Sequence, residues 1–147
     1  MIIVVAHAEE AGVRIRDFIK DNGRVPNYVS CICYNDSVNR VPEEADITMP
    51  QFLYTSCTLL NCGNDAEIIN INPAESPSGD FNSGQIQEPE YRTIAENIKN
   101  FIEGNGRAPN YANSSLGTIP FDTLIDMYAR IWAFMGENHS TPNYVSL

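Results

Sequence analysis

Four cysteines and two histidines are the residues best able to do chemistry in this sequence of 147 residues. Cys31, Cys33, Cys57 and Cys62 all fall in its first half. A cysteine nucleophile needs a nearby base, usually histidine, oriented by a third polar group. His7 lies near the start and His139 sits in a turn, and neither they nor the cysteines belong to a recognisable catalytic motif. A four-thiolate zinc site is conceivable, but CxC followed by CxxxxC is not a common ligand spacing. A disulfide also stays open, with reduced thiols the favoured reading. Glu9–Glu10 and Glu43–Glu44–Asp46 read as solvated faces, and there is no phosphate-binding glycine loop and no HExxH. The expectation is no catalytic residue, no metal ligand and no cofactor.

Residues suited to recognition, in contrast, recur. NGRVPNY (Asn22 to Tyr28) returns as NGRAPNY (Asn105 to Tyr111), 83 positions on. A weaker third copy, NHSTPNY (Asn138 to Tyr144), follows 33 positions after the second. The flanks align as well: Ile15, Phe18 and Ile19 fall on Ile98, Phe101 and Ile102, and then on Ile131, Phe134 and Met135. Glycine and proline are explained by a turn alone, since Gly23 and Gly106 can adopt the left-handed conformation that closes a helix, and Pro26 and Pro109 prevent its resumption. Turn chemistry explains the arginine, the second asparagine and the tyrosine less well. Aromatic faces, planar amides and guanidinium groups are the usual equipment for holding a glycan or a peptide. The candidate binding residues are therefore Arg24, Asn27, Tyr28, Arg107, Asn110, Tyr111, Asn143 and Tyr144. The competing reading packs each tyrosine on a neighbouring helix and uses each asparagine as a cap.

Helices must position these turns. Ile94, Ala95, Ile98, Phe101 and Ile102 recur at three- and four-residue spacing, as do Ala8, Ala11, Ile15, Phe18 and Ile19. A second helix type opens with Thr48-Met49-Pro50 and Thr118-Ile119-Pro120, threonine being a good N-cap and proline tolerated in the first turn. Phe121, Leu124, Ile125, Tyr128, Trp132 and Met135 form one apolar stripe, read as core. Four helices are predicted, near 8–21, 49–62, 89–105 and 120–137. The segment 29–46 reads as a polar surface excursion, Glu67 to Asn72 as a possible short strand, and Asn72 to Glu90 as an ordered loop or linker. The predicted fold is mainly α, two helix–turn–helix repeat units with minor short β content. The whole chain, 1–147, reads as a single module with repeat 1 about 1–66, a linker about 67–88 and repeat 2 about 89–147.

Composition narrows the partners. Apolar content of 43% and charged content of 19% are those of a chain that folds around a core. A net charge of -10 repels phosphate backbones and anionic lipids, so neither nucleic acid nor a membrane is an expected partner. No apolar run approaches the roughly 20 residues that span a bilayer, and Met1 to Ala6 is too short and wrongly flanked for a secretory signal.

FIKDNGRVPNYV followed by TMPQFLY, and the run from FIEGNGRAPNY to STPNYVSL, together resemble the pseudomurein-binding repeat family over nearly the whole chain, the linker and the 29–46 excursion excepted. The resemblance implies a non-catalytic, extracellular or phage-encoded module that binds pseudomurein, the peptide-cross-linked glycan of methanogen walls. Such modules anchor adhesins or target wall-lytic cysteine endoisopeptidases whose chemistry lies in a separate domain. It makes Arg24 and Arg107 the expected contacts for wall carboxylates. The chain departs from the pattern in the insertion after NGRVPNYV and in a third copy without Gly and Arg, which points to a structural third turn. A helical protein-interaction segment of an adhesin, and a cysteine-peptidase fragment using Cys57 or Cys62, are the alternatives.

Overall fold

The computed structural model describes residues 1–147. Its elements in chain order are β1 (Ile2–Val4), α1 (Val5–Asn22), β2 (Tyr28–Tyr34), β3 (Pro42–Thr48), α2 (Met49–Asn61), β4 (Asp65–Glu67), β5 (Asp80–Phe81), β6 (Gln85–Gln87), α3 (Glu88–Asn105), β7 (Tyr111–Ser114), β8 (Gly117–Pro120), α4 (Phe121–Asn138) and β9 (Tyr144–Ser146). The helices stand close to where their apolar stripes placed them. The expectation of a mainly α fold is corrected: helix accounts for 46% and strand for 26%, a mixed α/β architecture.

The reason is local. Each helix is entered from one strand and left through another, and most of these strands are only two to four residues long. In β6, β7, β8 and β9 a single side chain points inward, namely Ile86, Ala112, Ile119 and Val145. One apolar residue gives no alternation for periodicity to register. The supposed excursion is likewise corrected. Tyr28–Tyr34 and Pro42–Thr48 form the longest antiparallel pair, running from Tyr28↔Thr48 to Tyr34↔Pro42. Val29, Cys31, Cys33 and Ile47 point from it into the core.

The sheets close each half on itself. In the first half β2 pairs with β3 while β1 pairs with β4, giving the order β3-β2-β1-β4. In the second half β7 pairs with β8 and β6 with β9, and β5 joins the outer side of β8. The 83-residue offset of the turns also relates β1 to β6, and Ile3 faces Ala66 as Ile86 faces Val145. The longer β2 reaches β1 at Ile2↔Tyr34, which fuses the first half's strands into one sheet. The shorter β7 has no such reach.

One core serves both halves, a cluster of 34 buried residues drawn from all four helices. Helix α1 lies against α4, and α2 against α3. Trp132, Tyr91, Tyr128 and Phe52 are among its largest fully buried side chains, each stabilising by roughly 1.5–3 kcal/mol relative to exposure. Their polar ends are satisfied: Trp132 Nε1–H donates to the Ser56 carbonyl at 3.3 Å, and Tyr128 Oη–H to the Tyr91 carbonyl at 2.7 Å. Burial pushes the Tyr91 phenol up to about 12.

Helix entry differs from expectation at one place. Thr48 caps α2 in a reciprocal capping box with Gln51. Thr118 does not cap α4; it lies within β8, and its Oγ1 accepts the Asp80 N–H at 2.8 Å. Pro120 is the residue that occupies the cap position there, since Thr48 pairs with Tyr28 as Pro120 pairs with Tyr111, which makes Ile119 the counterpart of Ile47 in the two hairpins.

Candidate functional site

Each of the three turns is built by the same bonds. The side-chain amides of Asn22, Asn105 and Asn138 donate to the carbonyls of Phe18, Phe101 and Phe134 at 2.9, 2.8 and 3.0 Å. The next residue takes the left-handed conformation, with φ of 70° at Gly23, 68° at Gly106 and 59° at His139. Its N–H closes the helix on Ile19, Ile102 or Met135, each at 2.8 Å. Pro26, Pro109 and Pro142 are buried beneath the turn. The first asparagine is thus a helix cap, a role glycine and proline alone do not supply.

The arginine also acquires a local role. Arg24 lies over the Phe18 ring with its guanidinium carbon 5.1 Å from the centroid, and Arg107 lies over Phe101 at 5.0 Å. Arg107 is further held by Glu75, with Nε 3.1 Å from Oε1. Both are cation–π contacts on partly exposed rings. Arg24 remains exposed and Arg107 half-buried.

The second asparagines diverge. Asn27 is exposed and makes no side-chain hydrogen bond, lining a cavity with Met49, Pro73 and Phe121. Asn110 is half-buried, its Oδ1 accepting the Ser76 N–H at 2.8 Å, which ties the turn to the segment between the halves. Asn143 is exposed, while its carbonyl accepts the Glu88 N–H at 2.8 Å. The tyrosines behave alike. Tyr28, Tyr111 and Tyr144 each begin the strand after the turn and stay 58%, 46% and 47% exposed, far more than a core tyrosine such as Tyr91.

Beside two of these tyrosines the helix and the outgoing strand leave a groove. The second copy's groove, about 230 Å³, is lined by Ile94, Asn97, Phe101, Tyr111 and Asn113, among others. The third copy's, about 390 Å³, is lined at matching positions by Arg130, Ile131, Phe134, Tyr144 and Ser146, with Asn143 beside them. In the first copy Arg14 crosses that space and donates to the Ser30 carbonyl. The eight predicted residues therefore do not share one groove. Tyr111 lines one and Asn143 with Tyr144 another, whereas Arg24 and Asn27 line separate depressions. Asn97, Arg130 and the two phenylalanines complete the grooves. The 33-residue offset would have found them, since Asn97 falls on Arg130 as Phe101 falls on Phe134.

The thiols lie apart from these turns. Cys31, Cys33 and Cys57 are buried, Cys62 is exposed, and all four are free. The sulfurs of Cys31 and Cys33 are 3.3 Å apart. Their shared hydrogen bond holds the Cys33 thiol down and the Cys31 thiol up, and burial raises Cys57. His139 is exposed at its turn, and His7 rests on the Tyr34 ring at 5.5 Å.

Comparison with known families gives one match, made twice. A family model described as pseudomurein-binding repeat covers residues 82–113 and 115–147. The first span holds β6, α3 and most of β7, and the second holds β8, α4 and β9, so each contains one helix, its turn and the flanking strands. No curated protein matches the chain.

Proposed function

We propose, from the premise that the second half of this chain belongs to the pseudomurein-binding repeat family, that the whole chain is a non-catalytic module holding a parent adhesin or wall-lytic enzyme on pseudomurein. The observation that carries this reading is the twofold match over units that each end in an exposed tyrosine beside a helix. The first half lies outside the matched spans, yet it repeats the same strand, helix, turn and strand at a constant offset, down to Ile3 and Ile86 in equivalent pairs. That supports treating it as a divergent part of the same module.

Several weak contacts on one polymer reinforce each other, so modest affinity at each turn suffices for retention on a wall. The acidic surface keeps the module off nucleic acid and anionic lipid. No helix is long and apolar enough to cross a membrane, which suits a module working on the outer face of a cell. Sedimentation with purified pseudomurein, run beside bacterial murein, is the test. Co-sedimentation with pseudomurein is expected; protein left in the supernatant of both would end the proposal.

A further inference from the structure

The grooves of the second and third copies have a wall made of backbone. In an antiparallel pair, residues that exchange hydrogen bonds alternate with residues whose N–H and C=O point away from the partner strand. The Asn110 carbonyl accepts the Phe121 N–H at 3.2 Å, which sets the phase of β7 on β8. The Asn143 carbonyl accepts the Glu88 N–H at 2.8 Å, and Leu147 and Gly84 exchange bonds at 2.8 and 3.1 Å, which set the phase of β9 on β6. Tyr111, Asn113, Tyr144 and Ser146 consequently turn their main-chain groups outward. Strands β7 and β9 each have a partner on one side only, and those free edges border the grooves.

The first copy reveals what such an edge faces. Ser30 occupies the register of Asn113, and its outward carbonyl is taken by Arg14 of α1. Asn97 stands at the position of Arg14 in the second copy and is too short to do the same. Arg130 stands there in the third copy, drawn aside by Asp126 with Nε 3.1 Å from Oδ2. One copy is plugged by its own side chain and two are open.

Charge narrows the occupant. The chain carries 19 acidic residues, yet no carboxylate lines either open groove, and Arg130 is the only ionic group among their walls. We infer that the open grooves take a short extended peptide bearing an acidic side chain, which pairs its backbone with the free edges of β7 and β9 and, in the third copy's groove, sets its carboxylate on Arg130. Free N–H and C=O groups at every second residue match the repeat of an extended peptide; a saccharide has no such repeat. This rests on the wall-binding reading and assigns these grooves to the peptide part of the polymer.

The test is ¹⁵N–¹H shift mapping of the full chain with N-acetyl-Ala-Glu-Ala-amide, with the all-alanine peptide, and with tri-N-acetylchitotriose. The glutamyl peptide is expected to move the amides of Tyr111, Asn113, Tyr144 and Ser146, leaving that of Ser30 in place. Asn97→Arg, which installs the first copy's plug, should abolish the shifts at Tyr111 and Asn113 alone. Arg130→Gln should weaken the glutamyl peptide about fivefold and leave the all-alanine peptide unchanged. Movement of these amides by the saccharide alone, or by neither ligand, overturns the assignment. Sedimentation of the unaltered protein with wall then separates the two ideas: if it persists, only the peptide assignment has failed.

Discussion

Gly12 and Trp132 mark the closest approach of α1 to α4: a Cβ on Gly12 would lie 2.8 Å from Trp132 Cβ and 2.9 Å from the Ala129 carbonyl. The absent side chain lets one helix of the first half lie on the central helix of the second. Replacing Gly12 by alanine gains about 1 kcal/mol of helix propensity but forces the helices apart, at about 1–3 kcal/mol. Gly12→Ala is therefore expected to lower the urea midpoint, and Gly12→Leu to lower it further. An unchanged midpoint in both variants would mean that the crossing is looser than the distances require.

His139 holds a left-handed conformation at φ 59°, where the equivalent turns have glycine. Side chains with a Cβ are strained there. His139→Gly should stabilise the protein by about 0.5–1 kcal/mol net of the freedom that glycine adds to the unfolded chain. A thermal melt that falls would show that the imidazole contributes more at this turn than its strain costs.

Glu88 ties the start of α3 to the third turn, accepting from Thr141 Oγ1 at 2.5 Å and from Arg92 Nη2 at 3.0 Å. The Thr141 bond first, then Arg92, holds its carboxyl below the ordinary value of 4.5. A depressed folded value stabilises the protein above the unfolded pKa, and that contribution is lost as pH falls through the lower folded value. Melting temperature should therefore decline below about pH 4.5, and Glu88→Gln should lower the neutral plateau and flatten that decline. An acid limb of the same steepness in the variant would assign the loss to other carboxylates.

Arg107 separates recognition from structure at the turns. Its stacking on Phe101 is worth about 0.5–1 kcal/mol, so Arg107→Ala should stay folded by circular dichroism. Its retention on purified pseudomurein is nevertheless expected to fall several-fold. Full retention by the folded variant would leave the guanidinium with its packing role alone.

How much of this could be read in advance depended on how many side chains each element sends inward. Helices α3 and α4 were legible because Ile94, Ile98 and Ile102, and Leu124, Tyr128 and Trp132, repeat over several turns. Strand β2 carried its own signal, the alternation of Val29, Cys31 and Cys33, which the polar residues of the following hairpin obscured. The strands with a single inward residue had none to give. At the turns, the repetition of Asn105, Gly106 and Tyr111 exposed the framework. It could not assign the arginine, because Phe101 looked like core until it was found at the surface edge under Arg107. The grooves were hidden for another reason: Arg14, Asn97 and Arg130 stand at one position but differ in type, and their difference has meaning only beside a strand edge.

The pairing of β1 with β4, and of β6 with β9, gives each half a narrow neck, since its first and last strands run side by side. A segment built this way enters and leaves the fold at one place. Residues can be added at that neck without prying open the strands within a half, but each half must stay joined to the other, because α1 packs on α4 and α2 on α3 around one shared core.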